Sequence, residues 1–148
     1  MAAPADMKTY TGRCHCNATL FTVTIPPLET GASTVTRCNC SICTKSGYSL
    51  VYPLREHVTF LRGEGELRAY VFGKKVRTHR FCGVCGTSVL IDFKDVPNPD
   101  ISKRMAVSIN TFDNIEDLIA DGKITWKTGD GKHLMDPPYA PLHPSASA

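Results

Sequence analysis

Residues 18–25 read ATLFTVTI, and their alternation points to the architecture. Phe21, Val23 and Ile25 fall on one side of an extended chain, while Thr22 and Thr24 fall on the other. That period of two is the pattern of a strand with one buried face. Comparable short runs lie outward from it, over residues 48–52, 58–61, 67–72, 76–81, 88–93 and 105–109. Turn residues separate them: Pro53, Gly63 with Gly65, Gly73, Gly83 with Gly86, and Pro97 with Pro99. Only residues 113–120 (DNIEDLIA) carry a helical pattern, with Asp113 or Asn114 as the cap and acids in the first turn. Many short strands punctuated by Gly and Pro predict a mainly β fold of packed antiparallel sheets, with at most one short helix.

At 148 residues the chain is long enough to bury one ordinary core. It contains no linker, repeat or low-complexity block, so a single domain is expected over residues 8–135. Poorly ordered tails are expected at residues 1–7 and 136–148, the latter rich in Pro, Ser and Ala. A net charge of +3 on scattered basic residues argues against nucleic acid as a partner. The densest basic group, Lys74, Lys75 and Arg77, reads as a solvated turn rather than a phosphate-binding stripe. No run approaches the roughly 20 apolar residues that cross a bilayer, and residues 1–7 lack the apolar core of a signal peptide. The expected compartment is therefore the cytoplasm, where thiols stay reduced. No feature prescribes an oligomeric state.

The seven cysteines fall into three groups: Cys14-His15-Cys16, Cys38-Asn39-Cys40-Ser41-Ile42-Cys43, and Cys82-Gly83-Val84-Cys85-Gly86. An odd number cannot pair completely as disulfides, and a disulfide across one intervening residue is strained. Tight clustering is instead what zinc needs, because thiolates at about 2.3 Å must come from residues one to four apart in a turn. The first and third groups offer two ligands each, which together close a four-thiolate structural site from Cys14, Cys16, Cys82 and Cys85. The middle group supplies Cys38, Cys40 and Cys43, and no cysteine remains for a fourth position. A closed site carries four protein ligands, whereas a catalytic one keeps a position open. Two zinc ions per chain are thus expected, with the catalytic one on Cys38, Cys40 and Cys43. The competing partition completes that second site with a histidine and makes it structural.

Three thiolates make a zinc centre electron-rich and a weak Lewis acid, so activated water is a less natural use than at a three-histidine site. A soft centre of this kind suits an incoming thiol, which it deprotonates and holds as a nucleophile. Addition of sulfur to an electrophile, or its reversal, follows. Arg37 and Lys45, with Arg80 in space, are candidates to offset the charge and to anchor a substrate carboxylate, and Asn110 is a candidate substrate contact. Ser41, Thr44 and Ser46 are placed to donate hydrogen bonds to the thiolates. His79, three residues before Cys82, could approach either site. His15 should point away from a metal held by its neighbours. His57, His133 and His143 carry no signal, and Trp126 reads as a core aromatic rather than a pocket wall. Two other readings stay open: a zinc hydrolase, and a non-catalytic zinc module that binds a protein or nucleic acid.

The three groups, extended to Gly12-Arg13-Cys14-His15-Cys16, to the middle run with Lys45 and Gly47, and to Phe81-Cys82-x-x-Cys85-Gly86-Thr87, resemble the glutathione-dependent formaldehyde-activating enzyme family, which includes the centromere protein V group. The resemblance covers roughly residues 9–118. It implies a β-tent fold, a structural four-cysteine zinc, a second zinc on three cysteines, and glutathione as cosubstrate. The implied reaction joins glutathione to formaldehyde and is that of a carbon–sulfur lyase. Two departures stand out: Asn17 occupies a position where the family usually has glycine, and residues 123–127 (KITWK) match poorly.

Overall fold

A computed structural model describes residues 6–143; residues 1–5 and 144–148 of the expected tails lie outside the described residues. Among the described residues there are ten strands: β1 (Lys8–Arg13), β2 (Leu20–Ile25), β3 (Thr34–Cys38), β4 (Leu50–Val51), β5 (Val58–Arg62), β6 (Leu67–Tyr70), β7 (Thr78–Cys82), β8 (Ser88–Asp92), β9 (Met105–Ser108) and β10 (Thr125–Gly129). They form a three-stranded sheet in the order β1-β2-β5 and a seven-stranded sheet in the order β10-β3-β4-β9-β8-β7-β6. The mainly β architecture expected from the alternation is therefore present. Each of the seven runs read as strands overlaps one, although residues 48–52 shorten to the two residues of β4.

The fold departs from the expectation in three respects. Among the described residues, four α-helices of four to six residues occur rather than at most one: α1 (Ser41–Ser46), α2 (Pro99–Ser102), α3 (Ile115–Ala120) and α4 (Gly131–Leu134). Helices this short span at most two turns, too few for an apolar periodicity to be visible. Strands β1, β3 and β10 also join the sheets. Finally, β10 runs parallel to β3, pairing Gly129 with Cys38, while every other strand pair is antiparallel. Asn114 does cap α3, but from a left-handed backbone and without a side-chain hydrogen bond.

The central strands β8 and β9 are buried on both faces. Successive side chains point to opposite sides of a sheet, and here they enter different cores. Leu90 and Val107 pack with Phe21, Val23 and Phe112 between the two sheets. Their neighbours Ile91 and Ala106 pack on the other side with Leu50, Phe93, Cys40 and Cys43. Cys14 and Cys82 belong to the first core. The seven-stranded sheet therefore separates the cysteines into two environments.

Candidate metal centres

Cys14 lies just beyond β1, Cys16 in the following turn, Cys82 at the end of β7, and Cys85 in the turn before β8. Their Sγ atoms all lie within 4.8 Å of one another, and the Cys14–Cys16 and Cys16–Cys82 separations are each 3.7 Å. Four sulfurs about 2.3 Å from a central zinc would be about 3.8 Å apart along a tetrahedral edge, so the set fits the ion. Matching turns shape both halves. The Gly86 N–H donates to the Cys82 carbonyl at 2.9 Å and the Asn17 N–H to the Cys14 carbonyl at 3.1 Å. Both residues have positive φ, 79° for Gly86 and 66° for Asn17. Asparagine tolerates this left-handed region better than other non-glycine residues, so the turn after the first pair keeps the glycine-like conformation.

Donors converge on these sulfurs. The Thr19 N–H reaches Cys14 Sγ at 3.3 Å, and the N–H groups of Val84 and Cys85 reach Cys82 Sγ at 3.4 and 3.5 Å. The Thr87 hydroxyl lies 3.1 Å from Cys85 Sγ and holds that thiol down to about 5, with help from the Thr87 N–H. Each such donor favours the thiolate that a metal requires. His15 is exposed, and only its backbone N–H is engaged, with Thr87 Oγ1 at 3.1 Å.

The second cluster is assembled over six residues. Cys38 ends β3, Cys40 caps α1, and Cys43 sits inside α1, their Sγ atoms again within 4.8 Å. Gly47 closes α1 in a left-handed conformation, its N–H bonded to the Cys43 carbonyl. Among the described residues, no histidine nitrogen or carboxylate oxygen joins these three sulfurs. Cys40 falls to about 5 because Cys43 shares its proton with it and because the Cys43 and Ile42 N–H groups face it. Cys43 is raised correspondingly. Cys38 Sγ accepts from the Gly131 N–H at 3.3 Å and from the Cys40 N–H at 3.5 Å. Both cysteine clusters therefore present donor sets suited to zinc.

The three-cysteine cluster opens into a cavity of about 370 Å³. Leu50, Ile91 and Phe93 form an apolar wall, Lys74 and Arg77 bring positive charge, and Met135 and Asp136 close one side. His79, also in the wall, is pushed down to about 4 by burial and by the nearby Arg77, so it is neutral at pH 7. Its Nδ1 lies 3.4 Å from the Tyr48 hydroxyl.

The sequence candidates for substrate contact are distributed differently. Arg37 precedes Cys38 and faces the opposite side of β3, its guanidinium 3.7 Å from the centre of the Trp126 ring. Arg80 alternates with His79 along β7 and pairs with Leu90, which turns it to the other core; one of its Nη atoms reaches the Leu67 carbonyl at 3.4 Å. Asn110 donates to the Gly47 carbonyl at 2.8 Å and lines a separate depression beside Cys14 and His15. Lys45 is exposed and borders a neighbouring groove that reaches Cys40. Of the hydroxyls read as thiolate donors, Ser41 Oγ is buried without a partner. The cations that do line the cavity, Lys74 and Arg77, were read as a solvated turn. Their only sequence signal was position, directly ahead of the strand that carries His79 and Cys82. Met135 and Asp136 carry none, since Met135 is the last residue of the expected domain and Asp136 the first of the expected tail.

A family model described as glutathione-dependent formaldehyde-activating enzyme matches residues 9–128. The chain belongs to this family. Among solved structures, a Rhodobacter sphaeroides protein shares the fold with a TM-score of 0.61 and 26% identity, over 79% of this chain and 99% of that one. No curated protein matches the sequence. Membership in the family associates the chain with glutathione and with formaldehyde activation. No helix among the described residues is long and apolar enough to cross a membrane.

Proposed function

We propose that this chain is a zinc-dependent carbon–sulfur lyase or synthase acting on glutathione or a glutathione adduct at Cys38, Cys40 and Cys43. The observation that carries this reading is a three-thiol donor set exposed to a cavity, beside a four-thiol set already complete in protein sulfurs. In the forward direction the thiol sulfur adds to a carbonyl carbon, the carbonyl π pair moves to oxygen, and that oxygen receives the thiol proton. In reverse, the C–S bond breaks and thiol and aldehyde return. When bound, zinc on the three cysteines supplies the positive charge that lets a substrate thiol ionise near neutral pH.

The surrounding residues bind and orient. Lys74 and Arg77 are suited to the carboxylates of the tripeptide, Arg77 bidentately. Lys45, in the adjoining groove, is a contact for the far end of the substrate. Leu50, Ile91 and Phe93 keep water from the sulfurs, and neutral His79 adds no competing positive charge beside the cationic rim. Cys14, Cys16, Cys82 and Cys85 take the structural zinc. The reading includes a single domain over residues 8–135 in a reducing, cytoplasmic compartment.

The test is metal analysis joined to exchange kinetics. Two zinc ions per chain are expected, with glutathione altering the spectrum of only one site after cobalt substitution. Exchange NMR should detect faster interconversion of glutathione plus formaldehyde with S-hydroxymethylglutathione. Arg77→Ala should raise KM about tenfold with kcat little changed. Two identical cobalt sites, both indifferent to glutathione, would defeat the proposal.

A further inference from the structure

The apolar character of the cavity exceeds what formaldehyde or glutathione requires. Formaldehyde has two heavy atoms and almost no apolar surface to bury. Glutathione is polar along its length, with two carboxylates, an ammonium group and two amides, and such groups lose hydration without compensation against an apolar wall. Yet besides Lys74 and Arg77 the cavity is lined by Leu50, Ile91 and Phe93, together with Tyr52 and Phe72. Its volume of about 370 Å³ falls in the range of pockets that enclose whole small molecules, roughly 300–1,000 Å³.

Aromatic surface dominates two parts of this wall. Tyr52 stacks on Phe93 with centroids 6.3 Å apart and planes inclined by 15°. Phe72 stacks on His79 at 5.6 Å and 27°. Tyr52 nevertheless remains 39% exposed, and Phe72 is only half-buried. Both side chains line the same space as the three sulfurs. Open ring surface beside a nucleophile site suits a flat apolar group, which ring stacking and area burial both favour.

We propose that the carbon partner of the glutathione sulfur is an aldehyde bearing an apolar, ring-sized substituent, seated against Tyr52, Phe72, Phe93, Leu50 and Ile91. This deepens the proposed function and rests on it. The adduct is a hemithioacetal. In its cleavage the C–S bond breaks, the carbonyl re-forms, and the hydroxyl proton passes to the thiol sulfur, so no oxidant or further reactant is needed.

Two thioethers separate the substituent from the chemistry, because neither has a thiol to ionise. S-benzylglutathione and S-methylglutathione are titrated calorimetrically into the zinc-loaded full chain. The benzyl ligand should bind about tenfold or more tightly than the methyl ligand. Tyr52→Ala should shrink that ratio to about threefold or less while leaving S-methylglutathione affinity unchanged. Phe72→Ala should act the same way, and serves if Tyr52→Ala disturbs the fold. Equal affinities for the two ligands, or a ratio that survives both variants, overturns the apolar-substituent assignment. If equal affinities come with a cobalt site that still responds to glutathione, only the substrate class fails. If neither thioether binds and the cobalt site ignores glutathione, the thiol-enzyme reading falls with it.

Discussion

The two cysteine clusters lie on opposite sides of one sheet and differ in what completes them. Cys14, Cys16, Cys82 and Cys85 join the end of β1 to the β7–β8 turn, with Cys14 and Cys82 sealed in the core between the sheets. Four protein sulfurs would satisfy a tetrahedral ion there, and on the proposed reading its work would be to hold distant segments together. Cys38, Cys40 and Cys43 come from one strand end and one short helix, bridge little chain, and face a cavity. On the proposed function, the number of protein donors and their sequence separation, rather than cysteine chemistry itself, would divide folding from reaction.

That contrast is open to direct attack. The largest effect should follow Cys82→Ser, which removes a buried sulfur from the four-cysteine cluster. Structural zinc contributes on the order of 10 kcal/mol to small folds, so the variant should lose at least about 5 kcal/mol and show no cooperative thermal melt by circular dichroism. A wild-type melt would break the comparison. Next, Cys40→Ser should keep its spectrum and one bound zinc while formaldehyde exchange falls by at least about 10²-fold. Unfolding of the same extent as Cys82→Ser would mean that both sites are structural.

His79 sharpens the difference through pH. Its pKa in the folded chain is lowered to about 4 by burial and by Arg77, whereas an unfolded histidine titrates near 6.5. The unfolded state therefore binds the proton first: full stability holds above pH 6.5 and is lost as pH falls toward 4. The loss should reach about 3 kcal/mol by pH 4, and His79→Gln should flatten that part of a denaturation profile at saturating zinc. The smallest effect is expected from Gly131→Ala. A Cβ there would lie 2.8 Å from Cys38 Sγ and 2.9 Å from Cys40 Cβ. Metal retention at the three-cysteine cluster should weaken by about tenfold in a chelator competition, with the other cluster unchanged.

The alternation of residues 20–25 and the continuous apolar run of residues 89–91 survive in the sequence because one face and both faces, respectively, meet a core, and those strands were legible. Strand β10, TWKTG, was not: four of its five residues are exposed, so no pattern of burial is imposed on it. Its parallel partner β3 lies some ninety residues earlier, and nothing local encodes that pairing. The cysteine groups were readable because ligand spacing is a local constraint. The cavity was not, because its walls come from five separate parts of the chain. Lys74 and Arg77 illustrate the point, since a charged turn looks the same in sequence whether it meets solvent or a cavity. Arg37 shows the converse: adjacency to Cys38 in sequence places it on the opposite face of the strand.

The register that sets Gly129 beside Cys38 and directs the Gly131 N–H at its sulfur has a consequence during synthesis. A chain leaving the ribosome has every thiol of the first cluster once residue 85 has emerged. The second lacks its last amide donor and one of its walls until residues 129–136 follow. A chain ended after β9 but before residue 129 would carry both sets of thiols and the central strands, yet lack the Gly131 donor and the Met135 and Asp136 part of the cavity wall.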